Sequence, residues 1–182
     1  MSHCGPTLAP MADDERPATD PLPAHGGPFV PPGFTPPPPP RTSAFWLEPL
    51  GPEHNEADYQ AWSSSIDHIH RTPGFPDGDW PHPMPIEENL ADLVMHADHF
   101  ARGVGFTYTV RSSGGMEGGD GDVIGCVYVY PSKVAAMDVD IRSWVRVSHA
   151  ELDAELWATV NEWVASDAWP FRPGHIDYQA RS

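Results

Sequence analysis

The sequence predicts an α/β (α+β) domain, a mixed, mostly antiparallel sheet of about five strands flanked by three helices, with a disordered arm in front. Three observations carry this. Val123 to Tyr130 is almost all apolar or aromatic, as a central strand covered on both faces must be. Two segments, 53–71 and 86–102, repeat their apolar residues at the helical period. Residues 1–43 hold more than half of the 23 prolines, including Pro36 to Pro40, and few large apolar side chains. Such a segment buries too little surface to offset its ordering entropy, so disorder or polyproline II is expected over 1–43, with the domain over 44–182. Phe29-Val30-Pro-Pro-Gly-Phe34 is the part of the arm able to lie on the domain.

The domain opens with a short strand, Phe45-Trp46-Leu47-Glu48-Pro49-Leu50, closed by Gly51-Pro52. In 53–71, Tyr59, Trp62, Ile66 and Ile69 share one helical face. The loop from Thr72 to Pro85 is punctuated by Pro and Gly and is irregular. In 86–102 the stripe Ile86, Leu90, Leu93, Val94, Ala97 and Phe100 is read as the inner face, ended by Gly103. Phe106 to Val110 alternates as a half-buried strand, and the glycine-rich stretch 112–121 reads as a hairpin loop. In the strand 138–147, Val139, Ile141, Ser143, Val145 and Val147 take one face and Asp138, Asp140, Arg142, Trp144 and Arg146 the other. A helix from His149 to about Ser166 buries Leu152, Leu156, Val160 and Trp163 or Val164, and His175 to Tyr178 forms a last short strand.

The chain of 182 residues is 40% hydrophobic with seven Trp, enough for one core. A formal charge of -16 with Lys133 as the only lysine argues against nucleic-acid binding, which needs clustered cations. No stretch reaches the roughly 18 to 20 apolar residues that cross a bilayer, and no leader pattern opens the chain, so a cytoplasmic protein with no membrane partner is expected. Cys4 and Cys126 set up no disulfide framework. His68 and His70 diverge at i, i+2, and His96 and His99 gain no third ligand, so no metal site is expected. Walker, dinucleotide-fingerprint and nucleophile-elbow motifs are absent from the sequence.

The element order β, α, α, β, β, β, α, β, with the strands Ile124-Gly-Cys-Val-Tyr-Val129 and Arg142-Ser-Trp-Val-Arg146, resembles the GNAT superfamily of acyl-CoA-dependent N-acyltransferases over about residues 45–179. The resemblance implies acetyl transfer from acetyl-CoA to an amine of a small molecule or peptide. It places the cofactor against the end of the fourth strand and the next helix start, at Trp144, Val145, Arg146, Val147, Ala150 and Leu152. A fourth-strand carboxylate, Asp140 or Asp138, becomes the candidate base, and Tyr178, Tyr128 or Tyr130 a candidate proton donor to the thiolate. Phe75 and Trp80, from the loop between the first two helices, with Tyr128 and Tyr130, are the candidate acceptor-binding residues. The family's glycine-rich pyrophosphate loop is replaced here by Val147-Ser-His-Ala-Glu-Leu-Asp153. Ser148 and Glu151 have capping-box spacing, which would occupy the amide groups a pyrophosphate needs. The alternative is therefore a non-catalytic binding or regulatory protein of the same fold. A homodimer in which a second subunit supplies the family's remaining strands stays open.

Overall fold

The computed structural model describes residues 26–75, 79–114 and 121–181. Five strands form one sheet in the order β1-β2-β3-β4-β5: β1 (Phe45–Pro49), β2 (Phe106–Ser112), β3 (Val123–Pro131), β4 (Val139–Val145) and β5 (Ile176–Asp177). The first four pair antiparallel, and β5 joins β4 parallel through only two residue pairs, Val139 with Ile176 and Asp140 with Asp177. The sheet and the order of elements are those the sequence predicts.

The helices are α1 (Asn55–Ser63), α2 (Ile66–Ile69), α3 (Ile86–Arg102) and α4 (Asp153–Val164). The segment expected as one helix over 53–71 is thus broken at Ser64 and Ser65. Tyr59, Trp62, Ile66 and Ile69 still share one apolar cluster. The break lets the buried Ser65 hydroxyl accept the Val147 N–H at 3.1 Å, tying this segment to the end of β4.

Two apolar clusters sandwich the sheet. Phe106, Tyr108, Val127, Val129, Ile141 and Val145 pack on the α4 side with Leu156, Val160, Val164 and Trp169. Trp62, Ile69, Phe75, Leu93, Cys126 and Trp144 pack on the side of α1 to α3. A bulge between Val110 and Arg111 inserts one residue in β3, so that Ile124 belongs to the first cluster and Val123 to the second.

Helix α3 ends where expected, at Gly103, whose φ of 68° lies in the left-handed region that favours glycine. Its inner stripe differs from expectation. Leu90 and Val94 are exposed, whereas Asn89, Leu93 and His99 are buried. The helix is turned because its inward polar groups find partners. The Asn89 side chain accepts the Trp62 Nε1–H at 2.9 Å and donates to Asn55 Oδ1 and to Asp58. The rings of His96 and His99 meet the Tyr130 hydroxyl. Satisfied polar groups can occupy a core face that apolar periodicity alone assigns to leucine and valine.

Part of the arm lies on the domain. Val30 is buried, Phe29 and Phe34 pack on Phe106 at 6.0 and 6.2 Å between ring centroids, and the Pro40 carbonyl accepts the Leu47 N–H at 3.0 Å. Docking of Phe29 to Phe34 is the exception the sequence allows. The expected disorder over residues 1–25, and the place of Cys4, lie outside the described residues. Cys126 is fully buried as a small core residue. No described helix is long and apolar enough to cross a membrane.

Candidate functional site

A cavity of about 500 Å³ opens on the side of α1 to α3, between the 72–85 loop, α3 and strands β3 and β4. The four candidate acceptor residues meet there: Phe75, Trp80, Tyr128 and Tyr130 all line it. Trp80 stands at the centre of an aromatic box, 5.7 Å from Phe75, 6.1 Å from Tyr128 and 6.0 Å from Trp144 between ring centroids. His70 holds the loop in place through its Nε2, 2.8 Å from the Pro81 carbonyl. The described part of this loop from Trp80 to Met84 therefore forms a wall tied to the domain through His70.

Asp140 lines the same cavity and Asp138 does not. Burial pushes the Asp140 carboxyl above its ordinary value, against the opposing pull of Arg142, whose Nε donates to it at 3.2 Å. Asp138 is held by Arg172 through the backbone N–H at 2.8 Å and the guanidinium at 2.6 Å, and this pairing draws its pKa down. Its oxygens are occupied in fastening the segment after α4. Tyr178 lies on the opposite, α4 face of the sheet, with its hydroxyl 2.6 Å from Ser143 Oγ and its ring against Trp157. Burial raises its pKa to about 12. The structure therefore brings Asp140 to the cavity and leaves Asp138 and Tyr178 apart from it.

Sequence reasoning overlooked the contribution of α3. Asp92, Met95 and His96 stand one helical turn apart along its inner side and line the cavity. His96 Nδ1 is 2.7 Å from the Tyr130 hydroxyl and 3.1 Å from Thr107 Oγ1. Burial, and after it the neighbouring His99, lower the His96 pKa to about 4, so the ring is neutral near pH 7. The i, i+4 pair Asp92 and His96 was the signal available, one turn of helix opposite the aromatic strand β3. Behind the aromatic box, burial raises the Asp58 carboxyl to about 6 despite the Asn89 hydrogen bond. Among the described residues no group of three or more His, Cys, Asp and Glu is arranged to hold a metal ion.

The junction after β4 departs from the expected capping box. Residues Val147–Leu152 form a 3-10 turn interrupted at His149, and α4 begins only at Asp153. Neither start has a side-chain cap bond, and Ser148 Oγ pairs with His149 Nδ1 at 2.9 Å rather than capping with Glu151. With φ of -130° at His149, the chain does not keep the continuous helical turn that a Ser-x-x-Glu pair spans.

The groups expected to receive a pyrophosphate are nevertheless engaged. The Arg146 N–H donates to the Ile124 carbonyl and the Val147 N–H to Ser65. Trp144 and Val145 are paired to β3 opposite Cys126 and Gly125, and both side chains are buried. Ala150 is exposed in the 3-10 turn, and Leu152 packs against the α4-side core. The first turn of α4 is met by Arg181, from the segment after β5. Its almost fully buried guanidinium donates to Asp153 Oδ2 at 2.8 Å, to the Ser143 carbonyl at 2.9 Å and to the Pro73 carbonyl at 3.3 Å. Asp153 Oδ1 and Arg146 Nε are buried with no hydrogen-bond partner among the described residues. As they stand, these residues do not fit a pyrophosphate, because the Arg146 and Val147 amides are used and the Arg181 guanidinium is neutralised by Asp153.

The protein superposes on RimL, a ribosomal L7/L12 alpha-N-protein acetyltransferase, with a TM-score of 0.51 and 14% identity, covering 69% of this chain and 63% of RimL. The chain has the GNAT acetyltransferase fold. A putative ribosomal-protein-serine acetyltransferase from Vibrio cholerae aligns at TM-score 0.51 and 13% identity, over 71% of this chain and 68% of that one. The Microcin C7 self immunity acetyltransferase MccE, solved with acetyl-CoA and AMP, aligns at TM-score 0.51 and 11% identity, over 74% and 67%. The chain thus spans roughly two thirds of the length of these GNAT structures. No family model and no curated protein matches the sequence.

Proposed function

We propose that the protein transfers an acetyl group from acetyl-CoA to a primary amine of a small molecule or peptide, bound in the cavity between the 72–85 loop, α3 and β4. The observation that carries this reading is the convergence of Phe75, Trp80, Tyr128 and Tyr130 with the fourth-strand carboxylate Asp140 around one cavity, in a chain of GNAT fold. Acetyl-CoA supplies a thioester carbonyl, and the chain's own residues handle the amine. The aromatic box excludes water and positions the amine's apolar part. An ammonium must lose a proton before it can attack. Asp140, with its pKa raised by burial, and neutral His96 are two groups on the cavity wall able to accept that proton.

On this reading the Arg181 contact with Asp153 occupies the start of α4, and acetyl-CoA enters when that contact opens. The same contact favours a second reading, a binding protein of this fold whose cofactor cleft is closed by its own chain. Thermal unfolding with and without acetyl-CoA separates the two. Acetyl transfer predicts a rise in midpoint that grows with ligand concentration. A midpoint unmoved at millimolar acetyl-CoA, in wild type and in Arg181→Ala alike, supports the binding protein. Trp80→Ala should leave that shift intact and weaken amine use at least tenfold.

A further inference from the structure

The cavity is charged unevenly along its length. At the β4 end the Asp140 carboxylate is balanced, since Arg142 donates to it and Lys133 lowers its pKa through space. At the α3 end Asp92 lines the wall, as does Asp79 from the loop, and among the described residues neither forms an ion pair with Arg or Lys. Asp92 is half-buried and makes no hydrogen bond or ion pair among the described residues. Burial raises its pKa first, the Glu88 charge raises it further, and only His82 opposes them. His82 is the histidine whose Nδ1 lies 2.7 Å from the Asp79 backbone carbonyl, and Asp79 lines the same cavity. Between the ends lie Trp80, Tyr128 and Tyr130, with Met95 on the same wall.

A partly desolvated, unpartnered carboxylate on a cavity wall is costly unless a ligand brings it a cation. The reacting nitrogen cannot be that cation, because it must be neutral when it attacks. From the aromatic cavity and its polarity together we infer that the acceptor carries a second positive charge. It is a small diamine or related dication, whose reacting nitrogen lies at the balanced Asp140 end and whose other ammonium is held by Asp92 across the aromatic span. The ring faces of Trp80 and Tyr128 add attraction for a cation as well as covering the apolar linker. The inference rests on the reading of this cavity as the acceptor site, and it specifies what enters it.

Calorimetric titration of the full chain, without acetyl-CoA, with 1,5-diaminopentane and with 1-aminopentane tests it. The diamine should bind at least tenfold more tightly, with the margin shrinking as salt is raised. Asp92→Asn should bring the two ligands within about threefold of each other, whereas Glu87→Gln, an equal charge change at an exposed position of α3, should keep the margin. Equal affinity for both amines in wild type, or an undiminished margin in Asp92→Asn, overturns the inference and leaves acetyl transfer standing. Binding of neither amine overturns the acceptor cavity itself.

Discussion

Two buried residues beside the cavity respond to pH in opposite directions. Asp58 has a folded-state pKa raised to about 6 by burial. The folded state therefore favours its neutral form, and the stability this gives below pH 3.8 is lost as the pH rises through 6. His96, lowered to about 4, is also preferred neutral, and its contribution is complete above pH 6.5 and lost as the pH falls towards 4. Between pH 4 and 6 the two slopes oppose each other, each with a limit of about 1.4 kcal/mol per pH unit. Asp58→Asn should thus become progressively more stable than wild type as the pH rises from 4 to 6, by up to about 3 kcal/mol. His96→Gln should gain on wild type as the pH falls from 6.5 to 4. Urea unfolding across that range measures both, and parallel stability curves for a variant and wild type would contradict the burial of that group.

At the scale of elements, the joint between β4, β5 and α4 is held by a few side chains, of which Arg181 touches both β4 and α4. The two strands share only two residue pairs, and beyond them Ser143 is met by the Tyr178 hydroxyl and by Arg181 instead of by backbone. Arg181→Ala leaves Asp153 buried without its cation and should destabilise the fold by about 3 kcal/mol. It should also tighten acetyl-CoA binding, because the contact that occupies the α4 start is gone. Calorimetry that finds acetyl-CoA binding weakened or unchanged in a folded Arg181→Ala protein would show that this contact does not restrict the cofactor.

Strand alternation made β3 and β4 legible from the sequence, and with them the two faces of the sheet. The same rule placed Asp138 beside Asp140, but alternation says nothing of Arg172, which takes Asp138 out of reach from 34 residues away. The aromatic wall was also legible, since Phe75 and Trp80 are the two aromatic rings of Phe or Trp in a loop made mostly of Pro, Gly and Asp. The polar inner side of α3 was not. Apolar periodicity ranks Leu90 and Val94 above Asn89 and His96, and only the partners across the interface reverse that order. The Ser148 and Glu151 spacing misled for a related reason: a capping box requires a helix to begin at that point, and the chain makes a 3-10 turn there first.

For the molecule as a whole, the proposed acceptor cavity is open, while the position expected to receive a pyrophosphate is occupied by the chain's own Arg181 and Asp153. The GNAT sheet places β4 between two sides, with Asp140 and the aromatic cavity on one and Tyr178 with Trp157 on the other. A strongly acidic protein, at -16, also concentrates cationic amines near its surface at low ionic strength, so amine use should weaken with salt. The most direct test of acetyl transfer is mass spectrometry of primary amines incubated with acetyl-CoA and the full chain. The account predicts an N-acetyl product in amounts equal to the free CoA released, greatest for a diamine and at least tenfold lower with Trp80→Ala. Absence of any acetylated amine from wild type and Arg181→Ala protein, under conditions where both remain folded, would contradict it.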